Sequence, residues 1–235
     1  MGGARLSQWD EYPNTLFFCT VISHVSMIAP TVLLWHRRWV WEFSLSVATC
    51  TTSFMYHTVQ SYHTRFILSE LQWHRLDNIV AITAFGTFFL YLACIPDPTI
   101  NEALKYLFLW ITVVLQEKAP WDERYTFAPI VCFGAVPVCM HLFYWRRWPN
   151  YDWKEFTIGF GCLAGAVFFF ILGLDEAHDP FRMFHGMWHV LGGYAATRLW
   201  KIVKLPTNNA VAAHVAMMPP HQPFADIPKF DREIV

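Results

Sequence analysis

Two histidines four residues apart, His185 and His189, sit inside the run His185-Gly186-Met187-Trp188-His189. On a helix that spacing stacks both imidazoles on one face, where they can reach the same metal ion. The run opens an apolar stretch, in which polar side chains are costly unless they are paired. A second stretch carries Ser53 and His57 at the same four-residue spacing, and a third opens with Asp77. Three histidines plus a water would complete the tetrahedral shell of a catalytic zinc ion. A carboxylate beside such a water accepts its proton, because zinc lowers the pKa of the water toward about 7. The sequence therefore points to Zn2+ held by His57, His185 and His189. Asp77 then acts on the metal's water, and Ser53 supports that water, a ligand or a substrate carbonyl.

Each residue taken alone has a plainer reading. A lone helical histidine is usually packed and hydrogen-bonded, and Asp77 could cap its helix or pair with Arg75 or His74. Among 11 histidines a chance HxxxH pair is common. The combination gains weight from depth: all five side chains fall at the same end of their apolar stretches. His24, His63, His74, His141 and His178 show no such partners and read as structural or surface residues.

The elements that must position these groups are apolar helices. Of the 235 residues 55% are hydrophobic, 18% aromatic and only 15% charged. An ordinary soluble domain has about 25% charged residues. The pattern predicts an all-α, polytopic membrane protein with seven transmembrane segments. They fall near Asn14–Trp35, with a kink at Pro30, then Val40–Val59, Leu76–Cys94, Leu104–Leu115, Thr126–Trp145, Phe156–Leu174 and Phe181–Val203. Three parts follow: a short extracellular or lumenal N-terminus (1–13), the helical domain (14–203) and a cytosolic tail (204–235). The tail has five prolines and reads as disordered.

Seven spans put the termini on opposite sides. The side holding the N-terminus carries six Lys and Arg, and the other carries nine before the distal tail. The excess predicts a cytosolic C-terminus. A cleavable signal peptide is not expected, since the first apolar stretch is long and has no small-residue cleavage site. The six cysteines form no CxxC pair and read as small buried hydrophobes. The net charge of −1 and the lack of a long basic cluster exclude nucleic acid as an expected partner. Membrane lipids are the expected partners, a homodimer stays open, and the membrane is the plasma membrane or that of the Golgi or ER.

The residues Ser53-Phe54-Met55-Tyr56-His57, Asp77 and His185-Gly186-Met187-Trp188-His189 resemble the motifs of the CREST superfamily. That group holds alkaline ceramidases, progestin and adipoQ receptors and the Per1 proteins. The similarity covers about residues 14–203. Leu76-Asp77 with Phe85-Gly86-Thr87, and Leu174-Asp175-Glu176 ahead of the HxxxH, look most similar to the branch of myomaker and the GPI-processing phospholipase A2. The resemblance implies seven helices and a zinc-dependent lipid amide or ester hydrolase, with His57, His185 and His189 on zinc, Asp77 on its water and Ser53 in support. It equally implies two alternatives, a myomaker-like fusion protein with a structural zinc, or a ligand receptor. The chain departs from both branch members. Residues 204–235 lack the cysteines of a lipidated myomaker tail, and no large extracellular portion is expected.

Overall fold

Capping side chains mark where several helices begin. Ser69 accepts from the Gln72 backbone N–H while the Gln72 side chain accepts from the Ser69 N–H, a reciprocal capping box. Asp97 and Asp152 each accept two backbone N–H bonds at the start of their helices, and Pro98 fills the first helical position after Asp97. In a computed structural model, which describes residues 11–120, 122–147 and 149–204, these starts belong to an all-helical chain. The helices are α1 (Pro13–Thr20), α2 (Ile28–His36), α3 (Val40–Ser61), α4 (Glu70–Ala93), α5 (Pro98–Lys118), α6 (Arg124–Cys139), α7 (Trp153–Gly173) and α8 (Met183–Leu199). A 3-10 stretch, Ile22–Met27, joins α1 to α2, and a π-helical turn, Met140–Trp145, extends α6. Most of the expected N-terminal stretch 1–13 and of the tail 204–235 lies outside the described residues.

Four of these rods are long and apolar enough to cross a membrane: Pro13–His36, Glu70–Ala93, Arg124–Trp145 and Trp153–Gly173. The chain is therefore read as an integral membrane protein. Rods α3, α5 and α8 occupy the other three expected spans but carry more polar residues or fewer turns. In α3 the dilution comes from a Ser/Thr-rich face, and in α5 from Lys105. That lysine is buried and paired with Glu42 at 2.8 Å and Glu102 at 2.7 Å.

Two boundaries differ from expectation. Helix α4 begins at Glu70, not near Leu76, so Asp77 lies two turns inside the helix rather than in its first turn. The capping box at Ser69 and Gln72 starts the helix despite the polarity of Glu70–Arg75. The kink expected at Pro30 appears one turn earlier, as the 3-10 stretch. Proline cannot bond the carbonyl four residues back and crowds it, so the ladder fails before Pro30. The hydroxyls of Thr20, Ser23 and Ser26 bond back to the carbonyls of Leu16, Thr20 and Ser23, which favours the same distortion.

That irregular stretch lies against α8. Gly193 permits the approach: a Cβ there would meet the Ser26 Oγ at 2.5 Å and the Ser26 carbonyl carbon at 2.6 Å. Gly186, seven residues earlier on the same face, lies under the Cys19 carbonyl. The single Ser26 hydroxyl proton is shared between the Ser23 carbonyl and the His189 carbonyl, the latter at 2.8 Å, and pins the contact. On its other side α8 packs along α7, while α3 packs on α4. Gly193→Leu is expected to destabilise the protein by about 1–3 kcal/mol, the usual cost of overpacking. Gly192→Ala, whose Cβ meets nothing within 4 Å, should leave the thermal melting point unchanged or raised. Melting of both variants checks the contrast.

Candidate metal centre

Four imidazoles meet where α3, α8 and the 3-10 stretch come together. His57 is the hub. Its Nε2 lies 3.1 Å from His185 Nε2 and 3.2 Å from His189 Nε2. His189 and His57 are 8% and 1% exposed. His24 packs against His189 with its ring tilted by 37° and centroids 4.0 Å apart, and is 6% exposed. The structure thus brings together the three histidines expected from the sequence and adds a fourth.

The spacing can be tested against a metal. Zinc–imidazole bonds of about 2.0–2.1 Å in a tetrahedral shell place ligand nitrogens about 3.3–3.4 Å apart. The two distances at His57 fall just short of that edge. Hydrogen bonding between the rings is a poorer account, because one Nε2 cannot satisfy two neighbours that approach it equally closely.

The outer nitrogens support this reading. His57 Nδ1 lies 3.2 Å from the Gln60 side-chain oxygen, and His24 Nδ1 lies 3.1 Å from the Val21 carbonyl. An oxygen acceptor on Nδ1 fixes the N–H there and leaves Nε2 as a bare lone pair, the arrangement that orients metal-binding histidines. His24 Nε2 is buried without a hydrogen-bond partner.

Two overlapping three-histidine sets result, sharing His57 and His189. In the set completed by His24, the candidate ligand atoms lie within 4.8 Å of one another. In the set completed by His185, both approaches to the hub are near 3 Å. Among the described residues the first set is the one whose ligand atoms are all mutually close, while His185 joins it on the His57 side.

The start of α8 is held by Asp179, which is fully buried. Its two carboxylate oxygens accept the backbone N–H groups of Phe184 at 2.8 Å and His185 at 3.1 Å. Phe181 and Arg182 just before them adopt left-handed φ values of 50° and 59°. Such a conformation is unfavourable for residues with a Cβ, and the Asp179 cap and the Arg182–Glu176 ion pair offset it. Gly173 makes room, since a Cβ there would meet the His185 nitrogen at 3.0 Å. His178 lies outside the cluster, exposed and bonded to Asp175 at 2.7 Å. That bond holds the Asp175 carboxyl below the ordinary range.

Ser53 and Asp77 meet on the neighbouring wall, where Ser53 Oγ donates to Asp77 Oδ2 at 3.2 Å. Ser53, Asp77, His24 and His189 all line one apolar cavity of about 170 Å3. Its walls continue through Ala81, Ala84, Gly192 and Ala196 to Phe88 and Trp200.

One family matches the chain: the one described as "Protein of unknown function (DUF3522)", over residues 14–190. The chain belongs to this family. The DUF3522 region contains all four histidines, Ser53 and Asp77, and stops one residue beyond His189. The site therefore lies within the part of the chain that defines DUF3522 membership, while Trp200 lies outside it. No curated protein matches the chain.

His24 was not expected at the site. Its sequence neighbours give no ligand spacing, and its position depends on Gly186 and Gly193, about 160 residues away. The available signal is the hydroxyl series 20, 23 and 26 next to a proline, which marks a distorted segment. Gln60→Ala should weaken metal binding by about 10–100-fold, the usual effect of losing a partner that orients a ligand. Competition with a chelator measures it.

Proposed function

We propose that this is a seven-span, CREST-type membrane protein that hydrolyses the ester or amide of a membrane lipid. Its N-terminus would lie outside the cytosol and its C-terminus inside, in the plasma membrane or the Golgi or ER. The observation that carries the reading is the convergence of imidazole nitrogens on His57, one of them from His189, which lines the same apolar cavity as a Ser–Asp pair. His57, His185 and His189 would hold a zinc ion. Bound there, zinc supplies a Lewis acid and lowers the pKa of a water into the neutral range.

The remaining work falls to the chain. Ser53, by donating to one carboxylate oxygen, fixes the orientation of Asp77. Asp77 as a carboxylate takes a proton from the attacking water. As the water oxygen bonds to the acyl carbon and the C–O or C–N bond breaks, Asp77 returns that proton to the departing alcohol or amine. The apolar wall below holds the acyl chain and keeps bulk water out. A lipid reaches such a site from within the bilayer, so no soluble substrate class is required.

His24 favours a second reading. A fourth imidazole at the edge of the cluster could complete the shell and displace water, and a closed shell is structural rather than catalytic. In that case the outer surface would act, as in a myomaker-like fusion protein.

Asp77→Asn decides between them. In the hydrolase it should lower release of fatty acid from a panel of ceramides, phospholipids and acylglycerols by about 10²–10⁴-fold, with metal content and melting unchanged. A wild-type protein that carries zinc but cleaves no member of the panel removes the first reading. Under the second, His24→Ala should lower metal affinity as much as His185→Ala does; under the first it should lower it far less.

A further inference from the structure

The cavity below Asp77 has a definite length and a narrow bore. Along α8 it is lined by His189, Gly192, Ala196, Leu199 and Trp200, and along α4 by Asp77, Ala81, Ala84, Phe85 and Phe88. Spacings of three and four place each row on a single helix face. His189 and Trp200 are eleven residues apart, as are Asp77 and Phe88, so both walls run about 16 Å at ~1.5 Å per residue. They close at the same level, because the Phe88 and Trp200 rings meet edge-on at 5.6 Å.

The floor is rigid. The Trp200 carbonyl accepts from the Arg37 guanidinium and, at 3.0 Å, from the Tyr91 hydroxyl. The Val203 N–H donates to the same hydroxyl at 2.9 Å. The indole itself packs against Tyr91 and Trp39.

A volume of about 170 Å3 spread along that length is a channel for one hydrocarbon chain. It exceeds the ~150 Å3 of an engineered apolar cavity that stays dry and binds benzene. At its polar end, the buried and unpartnered Nε2 of His24 marks a place for a polar group. Gly192 stands one turn below His189 and has no structural reason to be glycine. Gly193 beside it is pressed against Ser26, whereas a Cβ on Gly192 would meet nothing within 4 Å. Next to proline, glycine is the residue least favourable to a helix interior. What the missing side chain leaves here is open channel.

We infer that Gly192 and Trp200 set the length of the acyl chain this protein accepts. Gly192 keeps the channel open below the polar groups, and Trp200 ends it. An extended chain advances about 1.2 Å per bond, from the 3.6 Å spanned by the three bonds of one extended residue. The walls then run alongside roughly a dozen carbons beyond the carboxyl or amide group, of which the cavity, little larger than one that takes benzene, encloses about half before side chains move. Longer chains must fold or leave part of their length outside. A side chain at position 192 would cut the channel after the first three or four carbons.

The inference rests on the acyl-lipid reading above, and binding tests it apart from turnover. Purified protein is photo-crosslinked with a diazirine-bearing dodecanoate, and unlabelled saturated fatty acids from hexanoate to icosanoate compete. Wild type should label at Phe85, Phe88 or Trp200, with dodecanoate and tetradecanoate the strongest competitors. Gly192→Leu should weaken competition by dodecanoate about tenfold or more, the worth of as few as two buried methylenes, and weaken hexanoate far less. Ala84→Leu blocks from the opposite wall and should act the same way if Gly192→Leu fails to fold. Trp200→Ala should move the optimum to longer chains. An optimum that stays in place in a folded Gly192→Leu or Ala84→Leu variant overturns the inference, as does labelling of wild type only outside the cavity. Length-dependent labelling that persists in His185→Ala, with no hydrolysis by wild type, would sustain the inference while removing the hydrolase reading.

Discussion

Nitrogen lone pairs that face one another in an apolar interior repel, and no water is at hand to separate them. Such a cluster persists only if a cation or shared protons lie between the nitrogens, or if the surrounding structure forces them together at a cost in stability. Here the rings of His57, His185, His189 and His24 are gathered from three separate stretches of chain. Gln60 and the Val21 carbonyl turn the N–H groups of two of them outward. The helix caps, the close glycine contacts and the strained approach to α8 all maintain this one juxtaposition.

Helix α8 divides these tasks among its faces. Gly186 and Gly193 admit the Ile22–Met27 stretch, while His185 and His189 project toward His57. Gly192 and Ala196 open onto the cavity. Because 3.6 residues make a turn, neighbouring glycines can serve opposite needs, one crowded by backbone and the other facing empty space. Asp179 fixes where the helix begins, and so sets the phase of every face. A shift of one residue there would rotate the helix by about 100° and bring glycine where histidine is needed.

Much of the site was legible in the sequence because it is written in local spacing. His185 with His189 and Ser53 with His57 are i, i+4 pairs, and Asp77 sits where α4 passes the same depth. The all-helical character followed from composition, and the outer boundaries of α3, α6 and α7 fall within a few residues of expectation. The start of α4 was missed by weighing polarity over the Ser69–Gln72 capping box, although that motif is itself local. His24 and the Trp200 floor were illegible for a different reason. Each acquires its role only through contacts across the fold, from Gly193 to Ser26 and from Tyr91 to Trp200, which leave no periodic trace.

The same physics explains why four stretches are long and apolar enough to cross a membrane while α3 and α8 are more polar or shorter. Helix α3 carries Ser53, His57 and a row of threonines, and α8 is short and carries two histidines and Arg198. A polar site inside an apolar bundle is built from helices less apolar than their neighbours. Their polar groups are tolerated because they face one another, and because more apolar helices such as α7 and α4 pack beside them. Threonine adds little to this cost, since its hydroxyl bonds to the carbonyl one turn back, as Thr49 and Thr52 do in α3. Two of the histidines have a local remedy on one nitrogen only, where Nδ1 of His57 and of His24 meets Gln60 and the Val21 carbonyl one turn away. The Nε2 atoms of His57, His185 and His189 look to one another across the fold, so the more polar helices are those whose position the site itself secures.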